Sequence, residues 1–477
     1  MDELLNEAMR PVSGAVSGVV FATVPILGGD FPLIVAWLAL GGLFFTIYLR
    51  FINLRGFGHA IGLVSGRYAR EDDPGEISQF RALTTAVSGT VGIGNIANVA
   101  IAISVGGPGA VFWLIVAGLL GMSTKFAECA MGVLFRRNNP DGTVSGGPMY
   151  YLEVVLGNLG WQILGRGLGI FYAAMMVVGC LGIGNMFQSN QATAILVFVT
   201  GGEASFFADR SWAVGLTLAA LVGLVIVGGI RSISSATVRL VPVMAIFYVA
   251  LALFVISISY DRIPGAIASI FGGIFTPDSV AGGALGAMIM GFRRATFSNE
   301  AGLGSSSIAH SAARTPIPVR EGFVGLLEPF IDTVVITTLS AMVILSTIYD
   351  PSMSAGGVSG IELTTGAFES ALSWSGAPLG AAAILFAFST MISWAYYGLK
   401  AFTYLVGEGR LRSMGFNIFF CAFVVVGASV NLGALIDLSD ALVFMVAVPN
   451  LIGLYIMSPV VKRELNSYWS NLKGAQS

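Results

Sequence analysis

Long apolar runs separated by short charged segments constrain this 477-residue chain more than any other feature. Charged residues make up only 10% of the chain, hydrophobic residues make up 55%, and mean hydropathy is +0.83. The apolar core of a bilayer is about 30 Å thick, and a helix needs roughly 20 apolar residues to cross it. The sequence therefore predicts an all-α integral membrane protein that is surrounded by membrane lipid.

Apolar runs between charged or Pro/Gly breaks predict about eleven transmembrane helices. Their expected positions are 31–49, 82–104, 109–135, 167–199, 212–230, 238–259, 281–313, 321–348, 378–404, 414–430 and 438–458. No charge run or low-complexity stretch suggests a second, soluble domain.

The distribution of basic residues predicts the orientation, since cytoplasmic loops carry an excess of Lys and Arg. With the N-terminus outside, eighteen of the 24 Lys and Arg residues fall on the cytoplasmic side. Three fall outside and three within spans, namely Arg10, Arg210 and Arg262, and Lys125, Arg293 and Arg294. We expect an N-out, C-in protein of the plasma (inner) membrane.

The first 30 residues open with three acidic side chains, Asp2, Glu3 and Glu7. A cleavable signal peptide would begin with a basic region. We therefore expect an N-terminal amphipathic or interfacial segment over residues 1–30, lying at the membrane surface.

Composition and motif content argue against several functions. A net charge of -2 argues against nucleic acid as a partner. The cysteines, Cys129, Cys180 and Cys421, lack metal-ligand spacing, and His59 and His310 are too few for most metal chemistry. Neither a G-x-S-x-G nor an H-E-x-x-H pattern is present, so an enzyme is not expected. A channel would need a continuous polar pore, whereas this chain has two local polar breaks.

Two apolar spans are interrupted by glycine pairs, in the segments 88–95 and 298–305. Each glycine costs roughly 1 kcal/mol in a helix interior relative to alanine. Unwound backbone at membrane depth is tolerated only where it is buried in protein or lines a wet cavity. The segments therefore predict two broken helices, although Gly-x-Gly also serves close packing between helices.

The two breaks lie in the second and seventh predicted spans, so the interrupted helices cross the membrane in opposite senses. This arrangement predicts an inverted 5+5 repeat with one extra N-terminal helix, and such paired breaks are typical of a transporter's binding site. The expected divisions are an extra helix and loop at 31–81, repeats at 82–260 and 261–460, and a cytoplasmic tail at 461–477.

The free ends of broken helices also suggest a ligand. Unpaired N–H groups at a helix N-terminus suit a carboxylate. Unpaired carbonyls at a helix C-terminus suit a sodium ion or an ammonium group. A zwitterionic amino acid together with a cation would match both ends.

Four motifs carry a resemblance to a known family. They are TVGIGNI at 90–96, GGPGAVFW at 106–113, GNMFQSN at 184–190 and FSNEAGLG at 297–304. Over about residues 30 to 460, the chain resembles the alanine or glycine:cation symporter family, whose members have the leucine-transporter fold. The resemblance implies sodium-coupled, less often proton-coupled, import of small neutral amino acids such as alanine and glycine by alternating access.

The resemblance also implies which residues bind the substrate. Backbone N–H groups of Ile93 and Gly94 would hold its carboxylate, and the Gln188 side chain with carbonyls near Thr90 would take its amine. The implied substrate-binding set is Thr90, Ile93, Gly94, Gln188, Phe297, Thr390 and Trp394, in which Phe297 and Trp394 would limit side-chain size. Many family members have Thr where this chain has Ile93 and Gly where it has Asn98.

A sodium site is implied by the same resemblance. It would consist of the carbonyls of Ser88 and Val91 and the hydroxyls of Ser389 and Thr390. The residues themselves point the same way, because Thr390 and Trp394 share one helix face beside further hydroxyl side chains.

Other charged residues within the spans have two readings. Glu328 and Asp332 are expensive in hydrocarbon and are functional candidates, either protonated or paired with Arg293 or Arg294, or else part of a structural polar cluster. Two further expectations concern structure: Lys125 pairs with Glu128 or snorkels, and Glu300 caps a freed helix N-terminus.

Overall fold

A computed structural model of the protein describes residues 2–26, 29–70, 72–140, 142–275, 285–350, 360–430 and 433–474. Within these ranges the chain is almost entirely helical, which confirms the predicted fold class. Two short antiparallel hairpins interrupt the helices, β1 (Thr23–Ile26) with β2 (Gly29–Pro32) and β3 (Arg137–Asn138) with β4 (Val144–Ser145).

The α-helices, in chain order, are α1 (Asp2–Val20), α2 (Leu33–Tyr48), α3 (Ile52–Arg55), α4 (Phe57–Val64), α5 (Gln79–Thr90), α6 (Ile93–Gly106), α7 (Gly109–Leu134), α8 (Pro148–Asn158), α9 (Gln162–Leu181), α10 (Phe187–Val199), α11 (Ser211–Ile226), α12 (Gly229–Ile258), α13 (Ile263–Gly272), α14 (Gly286–Asn299), α15 (Ser307–His310), α16 (Pro318–Gly325), α17 (Leu327–Pro329), α18 (Thr338–Thr347), α19 (Gly360–Ala371), α20 (Gly376–Val406), α21 (Arg410–Ser429) and α22 (Gly433–Gly474). Two π-helical segments, Gly182–Met186 and Phe330–Thr337, and two 3-10 turns, Gly202–Ala204 and Tyr260–Arg262, complete the list for the described residues.

Each predicted span overlaps a helix or a continuous series of helices. Seven helices of the described chain are long and apolar enough to cross a membrane, or eight if the bent pair α5 and α6 counts as one span. Helices α2 and α11 are apolar but shorter. The start of the predicted span 281–313 and part of the predicted outer loop at 349–377 lie outside the described residues.

The predicted N-terminal segment contains helix α1, which packs against α22. Phe21, just after α1, makes an edge contact with Phe444 at a ring-centroid distance of 5.5 Å. The segment is therefore attached to the helix bundle through its C-terminal end.

The bundle is organised around α7 and α20. Helix α7 packs against α2, α14 and α16, while α20 packs against α5, α9, α10 and α12. Helix α6 contacts α14 and α7. The chain therefore changes neighbours between α5 and α6, where the first pair of glycines occurs.

The first interruption falls between Thr90 and Ile93. Helix α5 ends at Thr90, Val91 and Gly92 are non-helical, and α6 starts at Ile93 with its axis bent by 44° from that of α5. The Asn95 side chain accepts a hydrogen bond from the Gly92 N–H at 2.9 Å and so caps the start of α6.

The second interruption is wider, because α14 ends at Asn299 and the four-residue α15 begins only at Ser307. Glu300, Gly302 and Gly304 all have positive φ, at 57°, 93° and 76°. Glycine adopts this left-handed backbone without steric cost. The segment therefore crosses the protein interior as an irregular chain whose polar groups need partners from other helices.

Those partners come from Glu128 on α7 and Asn450 on α22. One Glu128 carboxylate oxygen accepts hydrogen bonds from the N–H groups of Gly302 and Gly304, at 2.9 and 3.1 Å. Asn450 donates to the same oxygen and to the Gly302 carbonyl, both at 2.8 Å. The expectation that Glu300 caps a helix start here is wrong: Glu300 ends α14 and accepts a hydrogen bond from the Ser305 hydroxyl.

The expected pairing of Lys125 with Glu128 is also wrong. Lys125 is fully buried and contacts Glu328 at 3.2 Å, and it donates to the Ser306 hydroxyl. Glu128 faces the second break instead. The spacing along α7 predicted that Glu128 pairs with Lys125. The Glu128 carboxylate instead accepts hydrogen bonds from the non-helical backbone of the second break.

Candidate functional site

Helix α5 is joined to α20 just before the first break. The Thr390 hydroxyl donates to the Ser88 carbonyl at 3.0 Å, and the Ser88 hydroxyl donates to the Ser389 carbonyl at 2.6 Å. The Ser389 hydroxyl donates to the Phe386 carbonyl on its own helix, at 2.9 Å. Val91 is the first residue after α5. The residues expected to bind sodium therefore lie together at the end of α5.

This group suits a sodium ion in its chemistry. All its ligand atoms would be neutral carbonyl or hydroxyl oxygens, which hard cations prefer. Ser88, Ser389 and Thr390 are at most 2% exposed. A cation bound between α5 and α20 would be largely shielded from solvent.

Trp394, one turn further along α20, also contacts α5. Its indole N–H donates to the Gly89 carbonyl at 3.1 Å. The last carbonyls of a helix have no intrahelical donor, so this bond satisfies one of them. Trp394 thus joins the two helices in addition to its expected position at the pocket wall.

Gly184, in the π-helical segment, lies directly against Trp394. A Cβ atom at Gly184 would lie 2.3 Å from Cβ and Cγ of Trp394. Only glycine leaves room for the segment and the indole to approach this closely, and this contact helps position Gln188 four residues later.

Gln188 directs an unpaired acceptor towards the first break. Its Nε2 donates to the Ile183 carbonyl at 3.2 Å, while its Oε1 is buried and has no hydrogen-bond partner within the described residues. A Cβ atom at Gly92 would lie 3.3 Å from this oxygen and 2.6 Å from Oγ1 of Thr390. An unsatisfied buried acceptor costs about 1–3 kcal/mol, which an incoming ammonium group would recover.

Unpaired donors lie at the start of α6. The first amides of a helix lack intrahelical acceptors, and Ile93 and Gly94 occupy this position. The Asn98 side-chain nitrogen, also without a partner among the described residues, would lie 3.2 Å from a Cβ atom at Gly94. The sequence identifies Asn98 only as a departure from the family pattern. In the structure its side chain adds a donor beside the expected carboxylate position.

The remaining expected substrate residues lie nearby in different roles. Phe297 of α14 would be 3.7 Å from a Cβ atom at Gly94 and makes an edge contact with Phe187. The Thr90 hydroxyl turns back to the carbonyls of Ala86 and Val87 in its own helix, at 3.4 and 3.2 Å. Phe297 therefore lies beside the start of α6, whereas the Thr90 hydroxyl is occupied within its own helix.

Asp332 joins the two breaks. This fully buried carboxylate accepts hydrogen bonds from Asn95 at 2.5 Å, Ser298 at 2.8 Å and Thr333 at 2.7 Å. Asn95 caps α6 and Ser298 precedes the second break, so one carboxylate contacts both interrupted helices. The sequence identified Asp332 as a candidate but could not identify these partners.

Of the alternatives left open for Glu328 and Asp332, the contacts of the described residues fit a polar cluster rather than pairing with Arg293 or Arg294. Arg293 lies over the Phe21 ring at 4.1 Å, and Arg294 donates to the Asn98 side-chain oxygen at 3.3 Å. Glu328 pairs with Lys125 instead. Both arginines lie on α14, before the second break.

The fold has a solved counterpart. The structure of MhsT in complex with L-phenylalanine matches 82% of this chain and 98% of its own, with a TM-score of 0.55 at 13% sequence identity. MhsT has the leucine-transporter fold. The chain is therefore a multi-pass helical protein with the leucine-transporter fold and two interrupted helices.

Sequence comparison specifies the family within that class. The profile described as "Sodium:alanine symporter family" matches residues 16–477. The sodium/alanine symporter AgcS of Methanococcus maripaludis is 37% identical over 431 residues, 90% of this chain and 92% of that protein. The probable sodium/glutamine symporter GlnT of Bacillus subtilis is 32% identical, covering 93% and 89%.

The chain belongs to the sodium:alanine symporter family. It is a sodium-coupled amino acid symporter rather than an enzyme, as its motifs predicted. The resemblance stated from four motifs is thereby confirmed over nearly the whole chain.

The contact between Gly184 and Trp394 can be tested by adding one methyl group. We expect Gly184→Ala to displace the indole from Gly89, to reduce amino acid uptake strongly and to lower stability by about 1–3 kcal/mol through overpacking. Uptake in proteoliposomes and thermal unfolding in detergent measure both effects. Gly167→Ala is the control, because a Cβ atom there meets nothing within 4 Å. Equal behaviour of the two variants would contradict the assigned role.

Proposed function

We propose that this symporter imports alanine or glycine, held at the first break, together with sodium held between α5 and α20. The observation that carries the proposal is the unpaired, buried Oε1 of Gln188 beside Gly92. It faces the same small space as the first amides of α6, on Ile93 and Gly94. Because Ile93 and Gly94 follow Gly92 directly in the chain, an acceptor for an ammonium group lies close to donors for a carboxylate, the two groups that an α-amino acid carries.

A small side chain fits the walls of this space. Phe297 stands 3.7 Å from a Cβ atom at Gly94, and Trp394 is fixed by its bond to Gly89. AgcS is named as a sodium/alanine symporter and GlnT as a probable sodium/glutamine symporter. The close approach of Phe297 favours the smaller substrate.

Sodium would couple to this site through helix α5. The proposed ligands are the carbonyls of Ser88 and Val91 and the hydroxyls of Ser389 and Thr390, which lie on both sides of the contact between α5 and α20. An ion there would hold α5 against α20, and its release would free α5 to move about the break at Gly92. Binding of the substrate on one side of the break and of the ion on the other would then control this movement of α5, which opens the site to one side of the membrane at a time.

We also propose the N-out, C-in orientation in the plasma membrane and the repeat boundaries at 82–260 and 261–460. The excess of basic residues in alternate loops supports the orientation. The positions of the two interruptions in α5–α6 and α14–α15 support the repeats. In this orientation α5 forms the cytoplasmic half of the first broken helix.

The function is tested by uptake of labelled alanine into proteoliposomes. We expect uptake to follow an inward sodium gradient and to be competed by glycine more strongly than by glutamine. A proton gradient in the absence of sodium tests the proton-coupled alternative. Uptake indifferent to both gradients, as for a channel, would refute coupling, and stronger competition by glutamine would refute the proposed substrate.

Gln188→Ala is expected to weaken alanine binding by about ten- to a hundredfold while sodium dependence remains. The basis is the loss of a desolvated hydrogen bond to a charged group, worth about 1.5–3 kcal/mol. Isothermal titration in saturating sodium measures the affinity. Gln191→Ala is the matched control on the same helix, since Gln191 donates to Asn190 and not to the site. Unchanged affinity in Gln188→Ala would remove this residue from the site.

Thr390→Val should raise the sodium concentration for half-maximal uptake several-fold, because it replaces the hydroxyl with a methyl group of similar size. Thr390→Ser keeps the hydroxyl and should restore the response to sodium. Initial uptake rates over a sodium series distinguish the two. A loss of protein yield in both variants, with normal sodium response of what remains, would assign Thr390 a structural role only.

A further inference from the structure

A line of buried polar side chains connects the start of α5 to the second break, apart from the substrate and sodium residues. Gln79 donates to Glu321 at 3.1 Å, and the other Glu321 oxygen contacts Nδ1 of His310 at 2.6 Å. Nε2 of His310 faces Oε2 of Glu328 at 3.6 Å, and Oε1 of Glu328 contacts Lys125 at 3.2 Å. The side chains of the four ionisable residues are fully buried.

The contacts of His310 with Glu321 and Glu328 require a hydrogen on each of its two ring nitrogens. Carboxylate oxygens are acceptors, so the short contact to Glu321 needs a hydrogen on or near Nδ1. With that single hydrogen, Nε2 is a bare acceptor that faces the bare Oε2 of Glu328. Both of these atoms lack a hydrogen-bond partner within the described residues. A second hydrogen, on Nε2, would convert this repulsive contact into a charge-assisted one.

The net charge of the buried side chains also indicates that His310 binds one added proton. With neutral His310, the set of Glu321, Glu328 and Lys125 carries a net charge of −1. One added proton makes the set neutral. Uncompensated charge in a dry interior is very costly, so the set holds that proton as long as it stays closed to water.

Further charged or titratable groups surround the set on the packed helices. They are Glu128 and Cys129 on α7, Arg136 just after it, Glu300 at the second break, Asp332 in the π-helical segment and Tyr397 on α20. Glu128, Glu300 and Asp332 already accept hydrogen bonds from backbone or side-chain donors. The Nε2 of His310 and the Oε2 of Glu328 are the pair in this group that one hydrogen would join.

We propose that His310, between Glu321 and Glu328, is a proton-binding site of the transport cycle, in addition to the sodium site. Together with Gln79 and His310, the set joins α5, α7, α15, α16 and α17. Gln79 lies at the end of α5 that the proposed orientation places towards the cytoplasm. When α5 moves, Glu321 loses its Gln79 contact and water reaches His310. The proton is then released to the cytosol, and one must rebind from the cytosol before the inner side closes again.

This proposal rests on the alternating access proposed above and predicts a one-sided pH effect. Raising the internal pH of proteoliposomes should slow the return step, so maximal alanine uptake should fall several-fold between about pH 6 and about pH 8 inside. Because the slowed step follows alanine release, the concentration of external alanine for half-maximal uptake should fall together with the maximal rate, and the ratio of the two should stay the same. External pH over the same range should have little effect. Equal dependence on external and internal pH would overturn the proposal.

Two variants should respond in opposite ways. In Glu321→Gln, the amide donates to Nδ1, which leaves the hydrogen on Nε2 for Glu328 and the set neutral. We expect uptake to stay fast at high internal pH. His310→Gln cannot gain a proton, and uptake should be slow and flat with internal pH. Retention of the wild-type pH profile in either variant would overturn the proposal.

The chain contains only two histidines, which gives a direct measurement and a matched control. His59 lies on α4, where its Nε2 contacts the Tyr468 hydroxyl at 2.8 Å. His59→Gln should keep the internal pH dependence and leaves one histidine for nitrogen-15 NMR. We expect His310 to carry hydrogen on both ring nitrogens with sodium and alanine bound. A single neutral tautomer under these conditions at about pH 6 would overturn the proposal.

A divalent metal is the competing occupant, because Cys129, His310 and Glu328 offer ligand atoms within 4.8 Å of one another. Loss of the pH effect on adding a chelator, or zinc binding that His310→Gln removes, would overturn the proton assignment. The outcomes also distinguish the two proposals. Uptake that ignores sodium would refute the proposed function, whereas sodium-driven uptake without an internal pH effect would refute only the proton site.

Discussion

The rest of the structure depends on one constraint: backbone that leaves a helix inside a membrane must find hydrogen-bond partners from side chains, because no water is available there. At the second break, Glu128 and Asn450 meet this need by contacting Gly302 and Gly304. A charged carboxylate is an expensive group to bury, and three charge-assisted contacts to one oxygen offset that cost. The break therefore explains why a carboxylate is buried in the last third of α7.

At the first break, fewer polar groups have hydrogen-bond partners than at the second, and this difference underlies the proposed binding site. Asn95 caps α6 through Gly92, and Trp394 takes the Gly89 carbonyl. The Gln188 oxygen has no hydrogen-bond partner within the described residues, and Ile93 and Gly94 stand at the helix start, where amides lack intrahelical acceptors. A protein interior normally pairs such groups, so their concentration in one small volume is a property of a binding site. The second break is thus fixed by contacts within the scaffold, whereas the first is the place where we propose that the substrate binds.

Local sequence was a good guide to the interruptions and a poor guide to the charged partners. Glycine pairs lower helix stability wherever they occur, so α5–α6 and α14–α15 are interrupted at the segments expected from sequence. The partner of a buried charge depends on which helices touch. Lys125 and Glu128 are three residues apart, yet they contact Glu328 and Gly302, more than 170 residues away. No spacing rule within one helix contains that information.

Asp332 shows how the breaks can influence one another. Through Asn95 it contacts the cap of α6, and through Ser298 it contacts the last turn of α14. A change in the angle between α5 and α6 would move Asn95 and therefore the Asp332 carboxylate, which also contacts Ser298 beside the second break. Glu328 lies one turn before Asp332 and contacts Lys125, whose other partner, Ser306, ends the second break. Asp332 and Glu328 therefore connect the first break, where we propose that substrate binds, to His310. Movement of α5 would change the contacts of both Asn95 and His310.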